Sequence, residues 1–401
     1  MRALFQNVKG DKAIWGIVAL LALFSFLPVY SASTNLVYVK DTGTTISHLV
    51  KHGVLLFLGF MIIYAVHRIP THYFKGLSLM AMPIIIPLLA YTLTVETQIG
   101  EATANRWIRI PVIGVNFQTS TLASVVLMIW VARYLSKIKD TVITFKDSLL
   151  PLWMPTALVI VLILPENFST AAILVCLVIM LCFLGGYPLK YLFSIIGAGL
   201  LVAAMFLTVL FTAPDKIPSQ RALTWKHRIE TFLHPENASA DASRQVEYAK
   251  MAVAEGGLVG KGAGKSVMKN LLSQSTSDFI FAIIIEEYGL VGGLGLLFFF
   301  LLLLFRIVVV ANSAKSVFAK LLVIGVGLPI VFQALINMAV VVELFPTTGQ
   351  PLPLISMGGT SIWMTCLAIG IVLSASDKKQ AETDSPVIDE SNPLEVLSGQ
   401  L

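Results

Sequence analysis

Ten apolar stretches recur along the chain, at 13–32, 47–65, 74–94, 118–135, 149–164, 168–184, 190–213, 279–305, 317–343 and 354–375. Each is close to the ~20 residues a helix needs to cross a bilayer. The chain has 401 residues, 56% of them hydrophobic and only 13% charged, where globular domains carry about 25% charged residues. A soluble core of this length cannot hide so much apolar surface. The pattern predicts an all-α polytopic membrane protein: one domain over 1–375 with ten transmembrane helices, then a polar tail over 376–401. That tail carries Pro386 and Pro393 and reads as disordered and cytoplasmic.

Charge placement tests the count independently, because cytoplasmic loops collect Lys and Arg. Fifteen basic residues fall on one side of the ten-span arrangement, from Arg2, Lys9 and Lys12 to Lys378 and Lys379. Short loops on the opposite side hold four: Lys40, Lys51, Arg106 and Arg109. Both termini are therefore expected in the cytoplasm. The first span follows Lys9 and Lys12 as a signal peptide would, but it exceeds a 7- to 15-residue signal core and nine spans follow, so it reads as an uncleaved anchor. Cys176, Cys182 and Cys366 lie within predicted spans, and neither a disulfide framework nor a metal-ligand spacing follows.

One connection breaks the run of short loops. Residues 213–277, between the seventh and eighth spans, are placed outside and carry nine Lys or Arg against six Asp or Glu. Connections this long are functional or disordered, and this one is rich enough in apolar residues to fold. Ser239 to Glu255 reads as a helix, with Val246, Ala249 and Val253 on one face and Gly256-Gly257 as its stop; such a helix can lie on a membrane surface. Gly260-Lys261-Gly262-Ala263-Gly264-Lys265-Ser266 resembles a P-loop only superficially. The required first glycine falls on Val259, and a helix rather than a strand precedes it. That leaves a glycine-rich basic turn with amides suited to an anion, or simply a solvated turn.

The stretch Ser275-Thr276-Ser277-Asp278-Phe279-Ile280-Phe281-Ala282-Ile283-Ile284-Ile285-Glu286-Glu287-Tyr288-Gly289 sets an acid at the mouth of an apolar run and two more within it. Acids in such a setting face a cavity or a partner, since each costs about 2.5–3.5 kcal/mol at a bilayer centre. An Asp preceding an apolar helix is also a good N-cap. Along this helix Glu286 lies roughly 12 Å deeper than Asp278 and about 80° around from it, and Glu287 on the opposite side. Glu287, Glu343 and Asn337 then read as buried hydrogen-bonding groups.

Four ordered motifs resemble the SEDS family, the shape, elongation, division and sporulation glycosyltransferases. They are Asn105-Arg106-Trp107-Ile108; Gly256-Gly257-Leu258 with Gly260-Lys261-Gly262; Ser277-Asp278-Phe279 with Glu286-Glu287-Tyr288-Gly289; and Phe345-Pro346-Thr347-Thr348-Gly349-Gln350-Pro351-Leu352-Pro353-Leu354-Ile355-Ser356, continuing to Ser361. Arg228 to Pro235 and the Lys269-to-Asp278 spacing look more like the division members (FtsW) than the elongation members (RodA).

The resemblance implies a lipid II polymerase of the bacterial inner membrane, with its active site on the extracytoplasmic side and Asp278 as catalytic acid residue. It implies no organic cofactor and no nucleic acid. The implied partners are a class B penicillin-binding protein, whose anchor helix would pack on the bundle, and other divisome proteins. A leaving pyrophosphate needs positive charge, from a divalent cation (Mg or Mn) held mainly by phosphate oxygens or from side chains. Lys51, Arg106, Arg228 and Lys269 are the candidates. Trp107 matches a family position as sugar platform or interfacial anchor, Glu286 shares the cavity at most, and Pro346, Pro353 and Ser356 belong to a stiff lid or re-entrant loop. A flippase for the same lipid is the alternative. The family's Glu and Lys at the start of the fourth span are replaced by Thr121 and Ser124, so no role of that pair carries over.

Overall fold

The computed structural model describes residues 9–38, 43–94, 98–99, 102–103, 107–109, 116–139, 141–212, 220–233, 240–272 and 274–377. The helices are α1 (Lys12–Tyr38), α2 (Thr45–Val66), α3 (Thr71–Thr94), α4 (Thr119–Ile138), α5 (Phe145–Ile163), α6 (Phe168–Leu184), α7 (Leu189–Thr212), α8 (Gln220–Leu233), α9 (Ala240–Gly256), α10 (Ile280–Ser313), α11 (Val317–Val341) and α12 (Thr360–Ala375). Two small antiparallel ribbons lie between α3 and α4: β1 (Gln98–Ile99) with β2 (Ala102–Thr103), and β3 (Trp107–Arg109) with β4 (Asn116–Gln118).

Eight of these helices are long and apolar enough to cross a membrane, and α6 and α12 are apolar but shorter. Their apolar side chains meet in one core, in which α10 packs on α11, α2 on α12 and α4 on both α3 and α11. By contrast α7 is only 6% buried, so its apolar surface is left for lipid. The helix expected over 239–255 appears as α9, displaced by one residue. The helix α8 is not evident in the sequence: its amphipathic pattern is short and its mean hydropathy low.

Local breaks have local causes. Pro155 has no N–H to give the carbonyl of Pro151 four residues earlier; a π turn over Leu149–Trp153 opens there, and the Trp130 indole of α4 donates to that carbonyl at 2.8 Å. At the chain's beginning, Asp11 caps α1 by accepting from the amides of Ala13 (2.9 Å) and Ile14 (3.0 Å). It also pairs with Arg306 near the end of α10, and its own amide donates to Ser376 Oγ just after α12. The start of α1 and the ends of α10 and α12 thus share one face of the bundle.

The largest departure from the expected plan is α10. Its 34 residues would run roughly 50 Å if straight, far more than a bilayer needs. At Gly289 the backbone leaves the helical region, with φ 67° and ψ −170°. A Cβ on Gly293 would touch both Ile285 Cγ1, at 3.1 Å, and Phe281 Cζ, at 3.6 Å. In a straight helix, residues 281 and 293 stand roughly 18 Å apart, so the arm 280–288 doubles back on the spanning arm 290–313. The break strands carbonyls and amides, and the turn after α9 takes them up. Lys261 and Gly262 amides donate to Glu286 and Glu287 carbonyls (both 2.9 Å), while Leu290 and Val291 amides donate to Gly257 (2.9 Å) and Leu258 (3.2 Å) carbonyls.

Candidate functional site

The doubled-back arm carries Asp278 to a place no continuous span would reach. Phe279, not Asp278, occupies the N-cap position of α10, and it makes no side-chain cap bond. The Asp278 main chain is held instead by α11: buried Asn337 donates through Nδ2 to the Asp278 carbonyl (2.9 Å) and to the Gln350 carbonyl (2.8 Å). One amide thereby ties the acid's backbone to the proline-rich loop 345–359.

That loop is fastened at several further points. Ser356 Oγ donates to the Ser277 carbonyl (2.7 Å) and accepts from the Leu352 amide (2.8 Å), and the Met357 amide donates to the Thr276 carbonyl (3.0 Å). Gln333 of α11 donates to the Pro351 carbonyl (2.8 Å), and Gln350 donates to Thr170 of α6 (2.7 Å). Pro353 is buried and Pro346 half-buried. The prolines at 346, 351 and 353 cannot continue a helix, so the loop is a stiff strap wrapped round the segment 276–278.

Arg228 arrives from α8. Its Nη1 donates to the Thr347 carbonyl of the strap at 3.1 Å. Gly349 lies next to both groups: a Cβ there would stand 3.5 Å from Asp278 Oδ2 and 3.7 Å from Arg228 Nη2. A carboxylate and a guanidinium from two separate segments therefore converge on one glycine of the strap, both half-buried. Gly349 itself has φ +68°, a conformation that favours glycine.

The remaining expected residues are distributed differently. Lys269 is buried, and its Nζ donates to Ser31 Oγ of α1 (3.1 Å) and to the Gly264 carbonyl (2.7 Å); its charge is used inside the protein. Glu286 does not share a space with Asp278. Its carboxylate accepts from Ser266 Oγ, from the Val267 amide (2.8 Å) and from Lys261 Nζ (3.1 Å). The reason is the break at Gly289: positions 286 and 287 lie at the turn, not deeper in a continuous span. Glu287 is the buried structural group expected, accepting from Ser31 Oγ and the Ser266 amide. Glu343, in contrast, is half-buried and pairs with Lys250 of α9 at 2.8 Å, because its positive φ of 57° ends α11 and turns it outward. The glycine-rich turn 260–266 spends the amides of Lys261 and Gly262 on Glu286 and Glu287 carbonyls, so they are not available to an anion.

Lys51 is exposed on α2. Trp107 is half-buried and sits opposite Gln118 in the β3–β4 ribbon, while Arg106 lies outside the described residues. Thr121 and Ser124 line a cavity among α4, α6, α11 and α12, together with Thr170, Gln333 and Gln350. Their hydroxyls donate to carbonyls of their own helix and its cap, Gln118 and Ser120 (both 2.8 Å), leaving that wall uncharged. Sequence reasoning points to Asp278, Arg228 and Ser356 and names Gly349 only as part of the stiff loop; it misses Thr347 and Gln350 as individual contributors and does not place Asn337 at Asp278. A signal for the three loop residues is present, since all lie in the proline-rich stretch.

The family model described as "Cell cycle protein", covering FtsW, RodA and SpoVE, matches residues 11–381. A probable peptidoglycan glycosyltransferase FtsW of Geobacter sulfurreducens is 32% identical over 373 residues, covering 92% of this chain and 95% of the relative. The chain belongs to the SEDS family. Another SEDS relative of the same description, from Enterococcus hirae, is 29% identical and covers 96% of both chains. Two solved structures share the fold. A chain of a peptidoglycan synthase complex that coordinates polymerization and crosslinking gives a TM-score of 0.71 at 24% identity, covering 92% of this chain and 97% of that one. The rod shape determining protein RodA of Thermus thermophilus gives 0.62 at 23% identity, covering 92% and 96%. The chain is accordingly an integral membrane protein of helices that resembles its relatives over nine-tenths of its length.

Proposed function

We propose that this chain, a peptidoglycan glycosyltransferase by family, polymerises lipid II into glycan chains during cell division, with Asp278 as the general base. The acceptor sugar's hydroxyl loses its proton to the Asp278 carboxylate as its oxygen attacks the anomeric carbon of the donor. The bond from that carbon to phosphate breaks, and undecaprenyl pyrophosphate leaves. One displacement converts an α-linked phosphate into a β-1,4 glycoside, so inversion follows. An alcohol is a poor nucleophile until its proton is taken, and a placed base contributes typically 10²- to 10⁴-fold.

The observation that carries this reading is the convergence of Asp278 and Arg228 on Gly349. Arg228, standing on the same glycine as the acid, offers charge to the leaving pyrophosphate. Among the described residues no three His, Cys, Asp or Glu gather into a metal-holding group. On this reading a divalent cation arrives with the substrate, taking its oxygens chiefly from phosphate.

On this reading all ten apolar helices cross the inner membrane, both termini are cytoplasmic, and 213–277 with the strap forms the outer face. A class B penicillin-binding protein would crosslink the product, with further divisome proteins around the pair. The test is a reconstituted assay with purified lipid II and the partner's transpeptidase site blocked. Glycan polymer is the expected product; transbilayer movement of lipid II without polymer would establish the flippase instead.

A further inference from the structure

The turn that seals the break in α10 has a second surface. Its tip exposes two adjacent apolar side chains, Leu258 at 71% and Val259 at 80%. They continue an exposed apolar band on the spanning arm of α10, made by Leu290, Val291, Leu294 and Phe298. Main-chain bonds from Leu290 and Val291 to Gly257 and Leu258 fix the tip against the top of that arm.

The height of the tip follows from helix length. From Arg306, which marks the face that also holds Asp11 and Ser376, the arm rises roughly 26 Å to Gly289. The hydrocarbon is ~30 Å thick, so Gly289 and the tip stand at its opposite edge. Two cations flank the apolar pair at this level: Lys261, which pairs with Glu255 and Glu286, and exposed Lys265, which packs its stem beside Gly262. Exposed apolar side chains with an exposed lysine a few residues on suit a segment seated at the boundary between acyl chains and headgroups.

We propose that the turn 257–265 is a lipid anchor. Leu258 and Val259 enter the acyl edge of the outer leaflet, and Lys265 meets the phosphate of an anionic phospholipid. The anchor is bonded directly to the carbonyls of Glu286 and Glu287, so the leaflet holds the hinge from which the arm bearing Asp278 hangs. A water-exposed loop or a surface covered by a protein partner are the competing occupants.

The test labels Val259→Cys with an environment-sensitive fluorophore in a Cys176→Ala background, since Cys182 and Cys366 are buried. Exposed Glu247→Cys on α9 serves as the control. Protein is reconstituted into phosphatidylcholine vesicles with and without phosphatidylglycerol, and correct folding is checked by thermal unfolding. The account expects position 259 to be quenched by nitroxide placed high on the acyl chain and shielded from iodide, with position 247 showing the reverse. Phosphatidylglycerol should shift the label's emission further to the blue, and Lys265→Gln should abolish that extra shift. Quenching of position 259 by iodide puts the tip in water and overturns the anchor; protection from both quenchers puts it against protein and overturns it equally. An undiminished phosphatidylglycerol effect in Lys265→Gln removes the lysine from the proposal.

Discussion

Asn337 shows how one neutral side chain organises a charged one. It lies 59 residues from Asp278 in the chain, and nothing about an Asn inside an apolar run says which backbone it will meet. The sequence permits the inference that it is buried and bonded; the identity of its partners depends on tertiary geometry. Asp278 itself is legible from its position before an apolar run, whereas its relation to Arg228 is not, because the roughly 50 residues between them include a whole helix, α9, and a glycine-rich turn. Asn337→Leu is similar in size but leaves the carbonyls of Asp278 and Gln350 without their donor. Losing buried partners costs about 1–3 kcal/mol each, so polymerisation should fall more than lipid II binding and the unfolding temperature should drop. A variant with wild-type activity would show that the acid does not depend on this clamp.

At the scale of elements, hydropathy finds every apolar helix and fails at α10. Composition along 280–313 is uniformly apolar apart from Glu286, Glu287 and Arg306 among its charged residues, so periodicity alone reads one long helix. What divides it is the fit of two glycines: a Cβ on Gly289 would collide with the Leu258 carbonyl, and one on Gly260 with the Glu287 carbonyl. Gly289→Ala should therefore cost far more than an ordinary helical Gly→Ala change, since it meets both a backbone conformation L residues rarely adopt and a steric clash. The control is Gly197→Ala in α7, where a Cβ meets nothing within 4 Å. Thermal unfolding and polymerisation measured on both should show loss only in Gly289→Ala. Equal tolerance would mean that the two arms of α10 can straighten without consequence.

For the whole molecule, ten crossings with both termini inside are the proposal, and it rests on charge: fifteen basic residues on one side against four in short loops on the other. The shared face of the start of α1 and the ends of α10 and α12 agrees with an even number of crossings. A cysteine at Glu247 should be labelled by an impermeant reagent from outside intact cells, and one at Lys315 only after the membrane is opened. Labelling of both from the same side would break the ten-span plan.

The claim on which the account turns is that Asp278 takes the acceptor's proton. Asp278→Asn keeps the side chain's size and leaves the carbonyl that Asn337 binds, while removing the charge. Glycan synthesis from purified lipid II, with the partner's transpeptidase site blocked, should then fall by roughly 10²- to 10⁴-fold, with the unfolding temperature and lipid II binding preserved. Normal polymerisation by a well-folded Asp278→Asn protein would contradict it.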